Sequence, residues 1–374
     1  MTTTDSPLHG ARVLVTGGAG FIGTAVRDAL RRAGARPVLL DNLSAYEPAT
    51  VALLGTGRHD PDLVFGDASD NDLVRHLVHD ADFVVHAAAH STVQGCLADP
   101  DTAFRSNLAA TDTLVRAVAD SPSIRRLILL STAQVYGHGD PDTDTTRPRL
   151  FTETQPYQPL NPYASAKLWA ELHTRQLLTA AGRDFTLLRP FSVYGPGQVP
   201  KPGAASWVVA QFTMYAALGQ ELLLNGGGRQ VRDFVFRDDA ADAIVRALTA
   251  PGAAGRTLNL GTGVQTSVSE VAEHVLAHFP GTTVRTAPPA AGDPLGGRAD
   301  TALMHRVLDW APAVTVTEGI ARYVDWVRST PAAIPPWMRA ETSDGRLAAW
   351  TAPGPAVTRP PYLDQPASSC NGAS

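Results

Sequence analysis

Arg12-Val13-Leu14-Val15-Thr16-Gly17-Gly18-Ala19-Gly20-Phe21-Ile22-Gly23 decides how the rest of this chain is read. A continuous apolar run ends in Gly18-x-Gly20-x-x-Gly23, and a helical pattern over residues 21–33 follows at once. Strand, glycine loop, helix is the order that a dinucleotide-binding turn requires. Missing side chains permit the tight turn, bring the backbone close to a pyrophosphate and let the helix pack on the strand, while the helix N-terminus offers amide donors. Gly17, Gly20, Phe21, Ile22 and Gly23 are therefore candidate cofactor contacts. Asp41 closes the next strand, where a carboxylate can accept hydrogen bonds from an adenosine ribose diol and repel a 2′-phosphate. No arginine follows it in Asn42-Leu43-Ser44, so NAD rather than NADP is expected, with Asn42 beside it.

Outward from that loop, apolar runs alternate with helical patterns. Pro37-Val38-Leu39-Leu40, Leu63-Val64-Phe65, Phe83-Val84-Val85, Leu127-Ile128-Leu129-Leu130 and Phe185-Thr186-Leu187-Leu188 read as strands buried on both faces. Residues 21–33, 103–119 and 162–181 carry apolar positions at three- and four-residue spacing and read as helices. The series predicts an α/β fold: a Rossmann-type doubly wound parallel sheet over residues 10–190, with a smaller α/β substrate-binding domain over residues 191–329. In the second part Leu222-Leu223-Leu224 and Thr257-Leu258-Asn259-Leu260 read as isolated strands, with some segments expected to return to the first domain. Residues 330–374, rich in Pro, Ala and Ser, are expected to be a poorly packed tail.

Composition narrows the classes of partner. The chain has 374 residues, 44% hydrophobic and 18% charged, enough for one large core or two sharing a cleft. A net charge of -5 leaves no basic surplus for a nucleic-acid backbone. Cys96 and Cys370, the only cysteines, build neither a disulfide framework nor a four-cysteine zinc site, which suits a reducing cytoplasm. No metal is expected. The first ten residues show no signal pattern, and the apolar stretch over residues 207–218 is too short to span a bilayer, so no membrane partner is expected.

At the carboxyl edge of the predicted sheet, Asp67 and Ala68 follow the third strand. Asp67 reads equally as an acceptor for the adenine amino group or as a helix cap. His86-Ala87-Ala88-Ala89 ends the fourth strand with small residues that let a cofactor lie against the backbone; Ala87 and Ala88 are candidate contacts, as is Asn107. The imidazole of His86 reads equally as structural or functional. Tyr163 precedes Lys167 by four residues, about one helical turn, so phenol and ammonium can share a face where the cation favours phenolate. Such a phenolate serves as a base near neutral pH.

With Ser131-Thr132-Ala133-Gln134-Val135-Tyr136-Gly137, Pro162-Tyr163-Ala164-Ser165-Ala166-Lys167 and Arg232-Asp233-Phe234 added to the glycine loop, the chain resembles an extended short-chain dehydrogenase/reductase of the nucleotide-sugar epimerase and dehydratase group, most like UDP-glucose 4-epimerase-type members. The resemblance covers residues 10–328. It implies Thr132, Tyr163 and Lys167 as the catalytic set, with Tyr163 and Lys167 also meeting the cofactor. It implies a UDP- or dTDP-sugar as substrate, held by Thr132, Ala133, Gln134, Ser192, Arg232 and Arg298, and a homodimer formed through the helices over residues 103–119 and 162–181. Family 4,6-dehydratases resemble Thr-Asp-Glu where this chain has Thr132-Ala133-Gln134, and neither Ala133 nor Gln134 shuttles a proton. Reversible epimerisation at C4 of a neutral hexose is the activity implied, unless Lys201 supplies the charge that uronate-specific members place after Pro196-Gly197-Gln198. The segment over residues 137–159 reads equally as a cover for the cleft or a passive loop.

Overall fold

Seven apolar runs form one parallel sheet in the computed structural model, which describes residues 6–138, 149–201, 207–289 and 295–343. The strands are β1 (Arg12–Thr16), β2 (Arg36–Asp41), β3 (Leu63–Phe65), β4 (Phe83–His86), β5 (Arg126–Leu130), β6 (Phe185–Pro190) and β7 (Arg256–Leu260). Their order is β3-β2-β1-β4-β5-β6-β7, and every neighbouring pair is parallel. Because the chain leaves β1 toward β2 and later returns on the other side as β4, a crevice opens at the carboxyl ends of these strands.

Alternating side chains of the strands feed two cores. Val13, Val15, Leu39, Val85, Ile128 and Leu258 pack with helix α1 (Phe21–Arg32) on one face. Leu14, Leu40, Val84, Leu127 and Leu187 pack on the other with α2 (Asn71–His79), α3 (Ala110–Asp120) and α4 (Pro162–Ala180). A strand buried on both faces has no solvent side, which is why these runs are continuous rather than alternating. A third core gathers α5 (Val208–Ala217), α7 (Val268–Leu276) and α8 (Val316–Ser329) around Tyr194, Phe234, Phe236 and Tyr323. Between the first and third cores, α6 (Arg237–Ala247) lies against α1.

Three expectations change. Thr257-Leu258-Asn259-Leu260 is no isolated strand; it is the seventh strand of the main sheet, beside β6, because Leu258 and Leu260 find their apolar partners there. The single helix expected over residues 103–119 is broken into Pro100–Phe104, a π-helical turn Arg105–Ala109 and α3. At its other end the chain stays ordered beyond residue 330, where Ala333, Ile334 and Met338 bury themselves in the third core and Pro336–Ser343 is helical. Residues 344–374, the rest of that expected tail, lie outside the described residues. So do residues 139–148 of the segment over residues 137–159, within which Arg149–Phe151 pairs with Gly297–Ala299.

If β7 is integral to the first core, Leu258→Ala should cost about 2–5 kcal/mol, the range for a fully buried leucine. Denaturant unfolding of the full chain measures it, and a loss below about 1 kcal/mol would show that the strand is only loosely docked.

Candidate active site

The glycine loop is shaped by close approach. Gly17 has a φ of 68°, and a Cβ there would lie 2.6 Å from the Ala88 amide nitrogen; one on Gly23 would lie 2.2 Å from the Gly17 carbonyl oxygen. Only glycine lets the turn nest between β1 and α1 and lie against the end of β4. Asp41 closes the loop from the side, accepting from the Ala19 amide at 3.0 Å and the Leu43 amide at 2.7 Å. Burial pushes its carboxyl up, and these two amides oppose the rise. The helix start, the loop amides and a buried carboxylate at the end of β2 together fit the pyrophosphate and ribose of a dinucleotide.

Around this cradle the other predicted contacts take definite places. Asn42 donates to Asp67 at 2.8 Å, tying the exits of β2 and β3 together. Asp67 also accepts from Ser69, and the cap of α2 is Asp70, so the capping alternative for Asp67 is filled by its neighbour. Ala68 is buried, while Ala87 and Ala88 line the exit of β4 beside Thr16. His86 is structural: it lies between the hydroxyls of Thr16 at 2.7 Å and Thr111 at 2.9 Å, and burial lowers its pKa to about 3. Asn107, on the π-helical turn, accepts from the His90 amide at 2.8 Å and donates to the His90 carbonyl at 3.2 Å. Its side chain fixes the backbone just beyond β4.

The helical spacing of Tyr163 and Lys167 brings both to the buried face of α4, as expected. Asn161 caps that helix, accepting from the Ala164 amide at 2.9 Å, and its own amide donates to Gln134 at 3.1 Å. Thr132, at the end of β5, hydrogen-bonds the Tyr163 phenol and caps the short turn Ala133–Tyr136. Lys167 Nζ donates to the Leu130 carbonyl at 2.9 Å. Burial pushes the Tyr163 phenol up, the nearby Cys96 adds to the rise, and the bond with Thr132 opposes it. Burial also brings Lys167 down to about 8, against the opposing influence of Cys96 and Glu171. Burial therefore favours the neutral phenol of Tyr163. A positive nicotinamide beside it would favour the ionised form.

Sequence reasoning missed what stands behind this set. Glu171, one turn beyond Lys167, accepts from Ser131 Oγ and from Arg189 at 2.9 and 2.6 Å, with both members of the ion pair almost wholly buried. Arg189 also donates to the hydroxyls of Tyr136 at 2.8 Å and Tyr157 at 3.0 Å, and to the Glu153 carbonyl at 3.3 Å. Two signals were present: an acid at i+4 from Lys167, and a lone arginine inside the apolar run Leu187-Leu188-Arg189-Pro190. Cys96, in contact with Tyr163, gave no signal at all.

On the substrate side, Ser192 lies on the strand Ser192–Tyr194, which pairs with Phe234–Phe236. Between Arg232 and that strand, Asp233 accepts from the amides of Thr262 at 2.7 Å, Gly263 at 2.8 Å and Ala299 at 3.0 Å. This buried carboxylate draws the loop carrying Arg298 toward Arg232, and a Cβ on Gly296 would lie 2.6 Å from Arg232 Nη1. Arg232 is half-buried and Arg298 exposed, donating to the Gly263 carbonyl at 2.9 Å. Two arginines on segments joined in this way are candidates to hold a diphosphate.

The chain belongs to the NAD dependent epimerase/dehydratase family, which it matches over residues 13–261. It is 34% identical to a UDP-glucose 4-epimerase from Mycolicibacterium smegmatis over 324 residues, covering 85% of this chain and 99% of that protein. A dTDP-glucose 4,6-dehydratase from the same organism is also 34% identical, over 327 residues, covering 85% and 93%. Among solved structures, a Thermus thermophilus UDP-glucose 4-epimerase complex with NAD has a TM-score of 0.72 at 30% identity, covering 85% of this chain and 99% of that one. Its cofactor is NAD, and it is an enzyme of the epimerase and dehydratase class. Among the described residues no helix is long and apolar enough to cross a membrane.

Two outcomes test the buried charges. Removing one member of the Glu171 and Arg189 pair, by Arg189→Met, should cost about 3–5 kcal/mol in unfolding free energy, and Glu171→Leu added to it should recover part of that loss. Lys167 releases its proton near pH 8 when folded, against an ordinary 10.5, so its burial cost is complete below about pH 8 and fades as pH rises to 10.5. Unfolding free energies of wild type and Lys167→Met should therefore shift in favour of wild type across that window; parallel curves would rule the shift out.

Proposed function

We propose that this enzyme is an NAD-dependent nucleotide-sugar epimerase acting at C4 through a transient 4-keto sugar, with hydride returned to the opposite face. The observation that carries this reading is the content of the turn Ala133–Tyr136 after Thr132. Ala133 has no polar side chain, and the Gln134 amide is engaged by Asn161. Elimination of water between C5 and C6 needs an acid and a base that this turn does not provide. Moving one proton and one hydride out and back needs a single proton carrier, and Tyr163 is that carrier.

Bound NAD supplies the hydride acceptor and donor. Tyr163 takes the proton of the sugar hydroxyl at its phenolic oxygen and later returns it. Thr132 donates to the reacting oxygen as charge develops there. Lys167, charged below about pH 8, favours the phenolate alongside the nicotinamide. Arg232, Arg298 and Ser192 hold the diphosphate of a UDP- or dTDP-sugar, leaving the sugar free to turn in its pocket. The sugar is a neutral hexose. Phe104 and Leu172 are exposed apolar side chains within the segments of the expected dimer surface, which supports a homodimer, and its place is the cytoplasm. The dehydratase relative supports a second reading, in which the product loses water.

Incubation with UDP-, dTDP-, GDP- and CDP-hexoses should give an isomer of unchanged mass with at least one of them; a product lighter by water would sink the epimerase reading. Tyr163→Phe should lower kcat by about 10²–10⁴ and Thr132→Ala by about 10². Near wild-type turnover by Tyr163→Phe would mean that another group moves the proton.

A further inference from the structure

Lys201 is a cation near the crevice that neither the catalytic set nor the substrate arginines absorb. Its ammonium stands 4.8 Å from the centroid of the Tyr46 ring, in the loop that leaves β2. Its charge also acts on His90, in the stretch that leaves β4. Sheet order then places it: β2 and β4 are the two neighbours of β1. Lys201 thus reaches the loop that leaves β2, and its charge is felt in the stretch that leaves β4, while the glycine loop follows β1 between those two strands.

The chain leading to Lys201 agrees with that placement. A Cβ on Gly197 would lie 3.8 Å from the Phe21 ring, and Phe21 is the first residue of α1. Arg237 donates to the Pro196 carbonyl at 2.7 Å and sits 5.5 Å from the same ring centroid. The loop over residues 195–201 is therefore packed on the turn that starts the helix.

Lys201 is half-buried, and among the described residues no carboxylate pairs with it. Burial pushes its pKa down with nothing opposing the fall. The groups around it are the Tyr46 phenol, the His90 imidazole and, beyond Tyr46, the Arg237 guanidinium; Asp99 acts on His90 and Asp28 and Asp238 on Arg237, but among the described residues no carboxylate is found to act on Lys201. A desolvated cation without a partner is costly, and an anionic ligand removes that cost.

We propose that Lys201 binds the pyrophosphate of the dinucleotide at the N-terminus of α1. The loop amides and the ammonium would then both serve the same anion. Because Lys201 follows the strand Ser192–Tyr194, away from the glycine loop in sequence, the cofactor is clasped by two separate parts of the chain. An enzyme that must keep its dinucleotide between removing and returning a hydride gains retention from such a clasp. The inference rests on the family's cofactor and is independent of which sugar is turned over.

Calorimetric titration of the nucleotide-free full chain tests it, with NAD, ADP-ribose and adenosine as probes. Lys201→Met should weaken NAD and ADP-ribose about 10-fold or more, the scale of one charge-assisted contact, and leave adenosine, which has no phosphate, within twofold. The difference from wild type should shrink as salt is raised, and Lys201→Arg should restore most of the affinity. The affinity for UDP, the nucleotide of the sugar substrate, should stay within twofold in Lys201→Met. Two results overturn the proposal: NAD and ADP-ribose bound within twofold of wild type by Lys201→Met, or a loss confined to UDP.

Discussion

A single buried guanidinium holds the candidate site in register. Arg189, next to last in β6 at 0% exposure, is paired with Glu171 on α4. An unpaired ion at that depth is so unfavourable that the pair dictates where helix and strand meet. Through Glu171 the constraint reaches Ser131, the residue before Thr132; through Tyr136 and Tyr157 it reaches both ends of the segment that leads to Asn161. Thr132, Tyr163 and Lys167 come from two elements separated by more than thirty residues, and this polar knot is what presses those elements together.

The same burial explains why the site is incomplete without its cofactor. Packing the phenol of Tyr163 and the ammonium of Lys167 among apolar side chains raises one pKa and lowers the other, so each is pushed toward its neutral form. A positively charged dinucleotide bound beside the tyrosine would offset part of that cost.

Much of this was legible in the sequence because the relevant rules are local. Glycine spacing, the apolar run before it and Asp41 after it specify a turn that a side chain would block, and the close approaches a Cβ would make at Gly17 and Gly23 are that blockage in ångströms. The four-residue spacing of Tyr163 and Lys167 needs only a helix. Less legible were features whose meaning depends on a partner far along the chain. Leu258 looks the same in an isolated strand as in the seventh strand of a sheet, and Met338 looks like part of a polar tail until the third core receives it. His86 was undecided between structure and function until Thr16 and Thr111 closed on it from β1 and α3.

By itself, then, the sequence determined the strand and helix series, the cofactor loop and the residue types of the catalytic set, because periodicity, glycine sterics and helical spacing act within a few residues. Only the tertiary structure decided that Glu171 and Arg189 stand behind that set, that Asn107 spends its amide on His90, that Asp233 draws the Arg298 loop toward Arg232, and that Lys201 stands over the Tyr46 ring. Each of these depends on desolvating a polar group, and a polar group's partner is fixed by distance in space rather than along the chain.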